Sequence, residues 1–406
     1  MTRLSVLDLA PISSGATARD ALRNTVDLAR RAEDAGYHRY WLAEHHLTPG
    51  VASSAPAVLI GAVAAATRRI RVGSGAVQLG HQTPLTVVEH FGTLDALHPG
   101  RIDLGLGRSG QRARELLATP PEPAGPQPTD PAPTDPAPTG PALTDPALTG
   151  SQPAGPPATE ARTVRGLLIP PPFSFASLAR HPLFALAGAL LQQPGARTPD
   201  FAVQVDEIIA LLAGRYRSDE GHEAHAQPGE GAEVELWVLG SSGGQSAQVA
   251  AERGLPFAAN YHVSPATVLE AVESYRDAFK PSRDYPEPHV MVSADVLVAP
   301  TEEEARRVGE PYALWVRSIR SGGGAVRYPS PEEAYAHEWS EEDRALVADR
   351  VDTRFAGTPD KVVEGLRVLK EATGADELLV TTITHDHADR VRSQDLLAEA
   401  WSDAGI

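Results

Sequence analysis

The stretch from Tyr37 to Gly50 reads YHRYWLAEHHLTPG, a short apolar run closed by Glu44, His45 and His46. A carboxylate beside two imidazoles can build a metal site, an acid/base pair or a polar strand end. Zinc sites of the H-E-x-x-H type set two imidazoles four residues apart on one helical face, whereas His45 and His46 are adjacent. On a strand, neighbours point to opposite faces, so at most one of the two turns inward. A structural hydrogen-bonding role and an acid/base role both stay open. Imidazole suits the second because it titrates near neutral pH.

Three further stretches have chemistry in their spacing. GLGRSG (105–110) matches the dinucleotide fingerprint G-x-G-x-x-G, but a Pro-rich tract follows almost at once where a compact βαβ unit should continue. What remains is Arg108 among glycines, suited to a bidentate grip on an anion or to a structural salt bridge. LGSSGG (239–244) stands before a helix starting near Gln245 or Ser246. Backbone N–H groups at such a helix start favour a phosphate, although a tight turn with a Ser cap explains the same residues. The Gly-Lys-Ser/Thr ending of a Walker loop is missing. THDH (384–387) reads as Asp386 capping a helix rather than as a metal pair.

These residues fall at the ends of alternating elements. Thr17 is positioned to cap a helix through ARDALRNTVDLARRAEDAG, with Gly36 as its stop. The strands are LSVLDLA, RYWLA, RIRVGSGAVQL, RIDLGLG, ELWVLG, PFAAN, HVMVSADVLVAP and ELLVTTI, nearly all separated by helical patterns. After HVMVSADVLVAP a long helical region holds SPEEAYAHEWSEEDRALVADRV. Eight such units predict a closed (β/α)8 TIM barrel, with an open doubly wound sheet as the alternative. In a barrel, side chains at the carboxyl ends of the strands line the site, which is where the candidates stand.

Residues 119–163 interrupt the alternation with a Pro/Ala/Thr/Gly tract that includes TDPAPTDPAPTGPALTDPALTG. It offers too little apolar surface to offset its ordering entropy and is expected to be a disordered insertion. Its proline spacing could also dock on an aromatic groove of another protein. The formal charge of -17 argues against nucleic acid. No apolar run reaches the roughly 18 to 20 residues of a membrane span. No signal-peptide pattern opens the chain, so a cytoplasmic protein is expected. There is no cysteine, which excludes thiolate chemistry and Cys-ligated metals.

Together, and in this order, LSVLDLAP, RYWLAEHH, VGSGAVQL, EHFGTLDALHPGRIDLGLGR, LGSSGG, GLPFA, GTPDKV and HDHADRVRS resemble the bacterial luciferase-like flavin monooxygenases, in particular their single-chain branch. The resemblance spares only the Pro-rich tract and GLLIPPPFSFASLARHPLF after it. It implies a (β/α)8 barrel, which agrees with the strand count. It matches His45 to the family's catalytic imidazole, with Glu44 beside it. It matches Arg108, the turn Gly240, Ser241, Ser242 and Gly243, and Ser246 to the groups that hold the flavin phosphate. Gly75 and Ala76 match the pair that forms a non-prolyl cis peptide under the flavin ring. The turn carries one residue more than the family's spacing, which leaves open whether Ser241, Ser242, Gly244 or Ser246 makes the contacts. Gly107 stands where luciferase has a Cys, which speaks against light emission.

The implied activity is oxidation of a small organic substrate with O2 and reduced FMN, the flavin coming from a separate NAD(P)H:flavin reductase, by a homodimer without metal. Hydride transfer with the deazaflavin F420, used by relatives of this fold, is the alternative enzyme. A flavin-binding accessory protein is the alternative outside the enzymes.

Overall fold

A computed structural model describes residues 2–108, 160–174 and 181–406. Eight parallel strands pair in chain order and close on themselves: β1 (Arg3–Asp8), β2 (Arg39–Leu42), β3 (Arg71–Ser74), β4 (Ile102–Gly107), β5 (Glu235–Gly240), β6 (Phe257–Asn260), β7 (Val290–Val298) and β8 (Glu377–Thr381). The ring is completed by β8 on β1, with Arg3 opposite Glu377 and Val6 opposite Val380. This is the expected barrel. Its strands read as nearly continuous apolar runs because helices cover the outside and side chains fill the inside. β7, VMVSADVLV, is buried at every position.

The helices follow from local signals. α1 (Ala18–Asp34) opens on a capping box, Thr17 accepting from the Asp20 N–H while the Asp20 carboxylate accepts from the Thr17 N–H. Its buried face is Ala21, Thr25, Leu28, Ala29 and Ala32, and Gly36 follows at φ +86°. α2 (Pro56–Ala66) and α3 (Pro84–Leu97) both start with proline in the first turn, where its missing N–H costs nothing. After α4 (Pro182–Leu191) come α5 (Phe201–Leu212), α6 (Gln245–Glu252) and α7 (Val268–Ala278). The last two helices of the barrel are α12 (Pro359–Thr373) and α13 (His387–Asp403). Among the described residues, no helix is long and apolar enough to cross a membrane.

Three details differ from the sequence reading. The helical region after β7 is four helices, α8 (Glu302–Gly309), α9 (Pro311–Arg320), α10 (Pro331–Tyr335) and α11 (Glu341–Asp352). Pro311 and Pro331, each in a first turn, are starts that a continuous helix cannot tolerate. The tract placed at 119–163 lies outside the described residues up to 159, but its end is corrected: Arg162–Val164 pairs antiparallel with Leu167–Ile169. Arg165 and Gly166, both at positive φ, make the two-residue turn, and Leu167 and Ile169 bury against the barrel. α4 follows from an apolar run to which no element was assigned.

Candidate functional site

A cleft opens at the carboxyl ends of the strands, on a floor made by Leu7 of β1, Leu239 of β5, Ala258 of β6 and Leu379 of β8. Gly75 and Ala76, just after β3, form one wall, and their peptide bond is cis. Gly107 ends β4 beside them. A Cβ there would lie 3.2 Å from the Ala76 Cβ, so glycine lets the strand end approach that peptide closely.

Arg108 continues from β4 onto the rim, where Ser241 and Ser242 arrive from β5 and Ser246 from the first turn of α6. The Arg108 Nη1 donates to Gln245 Oε1 at 2.6 Å, and Gln245 Nε2 donates to Asp200 Oδ2 at 2.6 Å. Asp200 is itself the N-cap of α5, so a relay fixed by a helix start orients the guanidinium. The turn before α6 is held from behind. Thr267 Oγ1 donates to the Ser241 carbonyl, and Ser274 Oγ donates to the Gly243 carbonyl at 3.0 Å. Gly244 caps α6 without a side-chain bond. The first turn of α6 and the serines before it thus present donors at the positive end of a helix dipole.

The Glu44 cluster is arranged otherwise than the sequence suggests. Glu44, 4% exposed, bonds His46 rather than His45: the Glu44 Oε1 and His46 Nε2 are 2.7 Å apart. Its other oxygen accepts from the Gln78 N–H at 2.9 Å, and its carbonyl accepts from Gln78 Nε2 at 2.6 Å. Glu44 therefore ties the end of β2 to the loop after the cis peptide. The backbone N–H of His45 donates to the Ser53 carbonyl at 2.8 Å, which fixes the main chain there. The His45 Nδ1 is buried with no partner among the described residues. Burial, and next the neighbouring His46, push its pKa down to about 4 against a weaker pull from Glu44. The ring is neutral at neutral pH.

The structure gathers Gly75, Ala76, Arg108, Gly240, Ser241, Ser242 and Ser246 around one cleft. Glu44 is not among its lining. His45 is not in that lining either, although a charge on it would disfavour one on His262, which is. At Gly243 a Cβ would point toward Glu270 and Ser274 on α7 instead. Three polar lining residues escaped the sequence reading: Asn260 at the end of β6, His262 after it and Ser293 on β7. The signal was present, because PFAANYH ends a strand on the same rim. Asp386 does occupy the N-cap of α13, but its side chain makes no capping bond, while His387 pairs with Asp27 at 2.9 Å. Among the described residues, no cluster of three or more His, Cys, Asp or Glu could hold a metal ion.

The family model described as luciferase-like monooxygenase matches residues 2–124 and 182–377. The chain belongs to that family. Among the relatives, the uncharacterized protein YvbT of Bacillus subtilis (strain 168) is 36% identical over 403 residues, 98% of this chain and 97% of its own. A luciferase-like monooxygenase of Escherichia coli (strain K12) is 33% identical over 392 residues, 97% and 95% of the two chains. A shorter match, 54% over 109 residues, covers 27% of this chain and 33% of the N-acetyl-S-alkylcysteine monooxygenase of Bacillus subtilis (strain 168). The crystal structure of apo-MsnO8 superposes with a TM-score of 0.73 at 31% identity over 99% of each chain.

Two more distant structures share the luciferase-like fold and differ in cofactor. The oxygenating constituent of 3,6-diketocamphane monooxygenase from Pseudomonas putida, in complex with FMN, has a TM-score of 0.61 at 18% identity and covers 99% and 98% of the chains. An F420-dependent secondary alcohol dehydrogenase has a TM-score of 0.56 at 14% identity and covers 98% and 99%.

Proposed function

We propose that this luciferase-like protein is a monooxygenase that takes reduced FMN and O2 and oxidises a small organic substrate. The observation that carries this reading is the division of the cleft. One end presents Arg108, Ser241, Ser242 and the start of α6, a donor set suited to a phosphate, and the floor is aliphatic, suited to a flat ring. A flavin mononucleotide has those two halves. Reduced flavin supplies the electrons and the reaction with O2 that side chains cannot.

The protein's own contribution is position and proton control. Arg108, steadied by Gln245, would hold the phosphate, and Leu7, Leu239 and Leu379 would keep water from the cleft. His45, neutral because buried, serves as base or hydrogen-bonding partner on the side of β2. Glu44 acts as a positioning residue through His46 and Gln78. The reduced flavin comes from a separate NAD(P)H:flavin reductase, and a cytoplasmic location goes with this supply. A homodimer is also part of this reading, supported by α2, PAVLIGAVAAA, which has no charged residue and leaves Val58 77% exposed.

Anaerobic titration with reduced FMN, reduced F420 and their oxidised forms, followed by oxygen uptake with a flavin reductase, tests the proposal. The expected result is FMN binding with O2 consumption. N-acetyl-S-alkylcysteines are the first substrates to add, given the partial match to an enzyme of that name. Binding of F420 with no oxygen uptake would replace FMN by the deazaflavin. FMN binding without any turnover would favour the accessory protein, and no binding at all would overturn both enzymatic readings.

A further inference from the structure

β2 and β6 stand four places apart in the eight-strand ring, on opposite sides of the barrel axis. His45 follows the first and His262 the second. His262 lines the cleft, and its Nδ1 lies 2.7 Å from the Ser293 Oγ on β7. The Ser293 hydroxyl also reaches the Ala259 carbonyl at 3.4 Å, and donating there it would leave its oxygen to accept from a proton on Nδ1. Nε2 then carries a lone pair, and among the described residues no hydrogen bond reaches it. A histidine kept only for structure has no use for that arrangement.

The loop that carries His262 is held on both sides. Asn260 Oδ1 accepts from the Val263 N–H at 2.9 Å, and the buried Tyr261 donates its hydroxyl to the Leu168 carbonyl at 2.7 Å. Burial holds the His262 pKa down to about 4; Asp295, two residues beyond Ser293 and so on the same face of β7, pulls the other way, while Arg350 and His45 add to the lowering. Its carboxylate accepts from Tyr312 Oη, and from Arg350 Nη2 at 2.9 Å.

We propose that His262, oriented by Ser293, is a second catalytic imidazole of the cleft, which accepts through Nε2 a proton from a ring N–H of the bound reduced flavin. The inference rests on the flavin site proposed above. When reduced flavin reacts with O2 in the absence of substrate, two electrons and two protons pass to oxygen to give hydrogen peroxide. His262 takes one of those protons from nitrogen, whose N–H electron pair stays on the ring, and releases it to the reduced oxygen. Ser293 is a positioning residue that fixes the tautomer.

The full chain is treated with diethylpyrocarbonate with and without saturating FMN, and labelled histidines are mapped by peptide mass spectrometry. His262 is expected to be labelled in the free protein and protected by FMN. His262→Ala, His262→Gln and Ser293→Ala are then compared with the unaltered protein in FMN affinity and in reoxidation of the bound reduced flavin in air-saturated buffer. Loss of the base should slow reoxidation by roughly 10²-fold in His262→Ala. FMN affinity should change far less. His262→Gln, which keeps an acceptor but cannot carry the proton, should fold as the unaltered chain does and stay slow. Ser293→Ala should be slowed less and have an altered pH profile. Unlabelled His262, labelling indifferent to FMN, or full reoxidation rates in His262→Gln would each overturn the proposal. If the unaltered chain bound no FMN, the flavin site itself would fall; normal binding with unaffected variants would remove only His262.

Discussion

Both ends of the barrel pair their buried charges, but the rim also keeps imidazole nitrogens without a partner among the described residues. At the amino ends of the strands, Arg39 of β2 bonds Asp103 of β4 at 2.9 Å, Glu235 of β5 at 2.9 Å and Glu377 of β8 at 3.1 Å. Arg71 of β3 adds a second cation on Asp103 at 2.6 Å. Trp41 Nε1 donates to Asp103 at 2.9 Å, and Tyr285 Oη to Glu235 at 2.8 Å. Burial alone would raise the Glu235 pKa, yet Arg39 holds it down at about 2, whereas burial wins at Glu377 and raises it. These charges bind one another and knit distant strands together. At the rim, His45 and His262 are both pushed down to about 4 by burial, and each keeps a ring nitrogen without a partner among the described residues. A polar network that satisfies itself supports the fold, while one left incomplete is prepared for a ligand.

Arg39→Met breaks this contrast most severely. It removes the central cation from three carboxylates, and breaking a buried ion pair in this way costs about 3–5 kcal/mol. Chemical denaturation should register a loss of that order, with cofactor binding failing only as the fold fails. His45→Ala tests the rim: turnover should fall by roughly 10²- to 10⁴-fold, with flavin affinity and the denaturation midpoint little changed. An equally large loss of stability there would erase the distinction between the ends. Arg108→Ala should weaken FMN binding by about 10- to 100-fold, the worth of a charge-assisted hydrogen bond to phosphate, as read by anaerobic titration.

A further effect appears in acid. His45 and His262 bind protons less readily folded than unfolded, so stability is unaffected above pH about 6.5 and declines as pH falls from there toward about 4. Each imidazole contributes at most about 1.4 kcal/mol per pH unit in that window. Replacing both by Gln should flatten the decline, and urea midpoints measured between those limits check it.

Much of the barrel could be read from the chain before any coordinates. All eight strand segments, the Thr17 cap and the proline-started helices α2 and α3 depend on neighbours in sequence. The rim candidates could be read for the same reason, since strand ends are local. What escaped was partnership. That Glu44 serves His46 and Gln78 depends on the short strand Val77–Gln78, which pairs with the end of β4, coming to lie beside the end of β2. The relay from Arg108 through Gln245 to Asp200 joins residues 137 and 45 positions apart. His262 gains meaning only once β6 is known to face β2.

The sequence by itself determined the alternation of elements and the kinds of side chain offered at each strand end, because periodicity, caps and turn residues act over a few positions. Only the tertiary structure decided which charges cancel at the amino ends of the strands and which groups at the rim are left to meet a ligand. Ring closure brings β8 against β1 and sets β2 across from β6. Burial and pairing, which set protonation, are properties of those neighbours and not of any one segment.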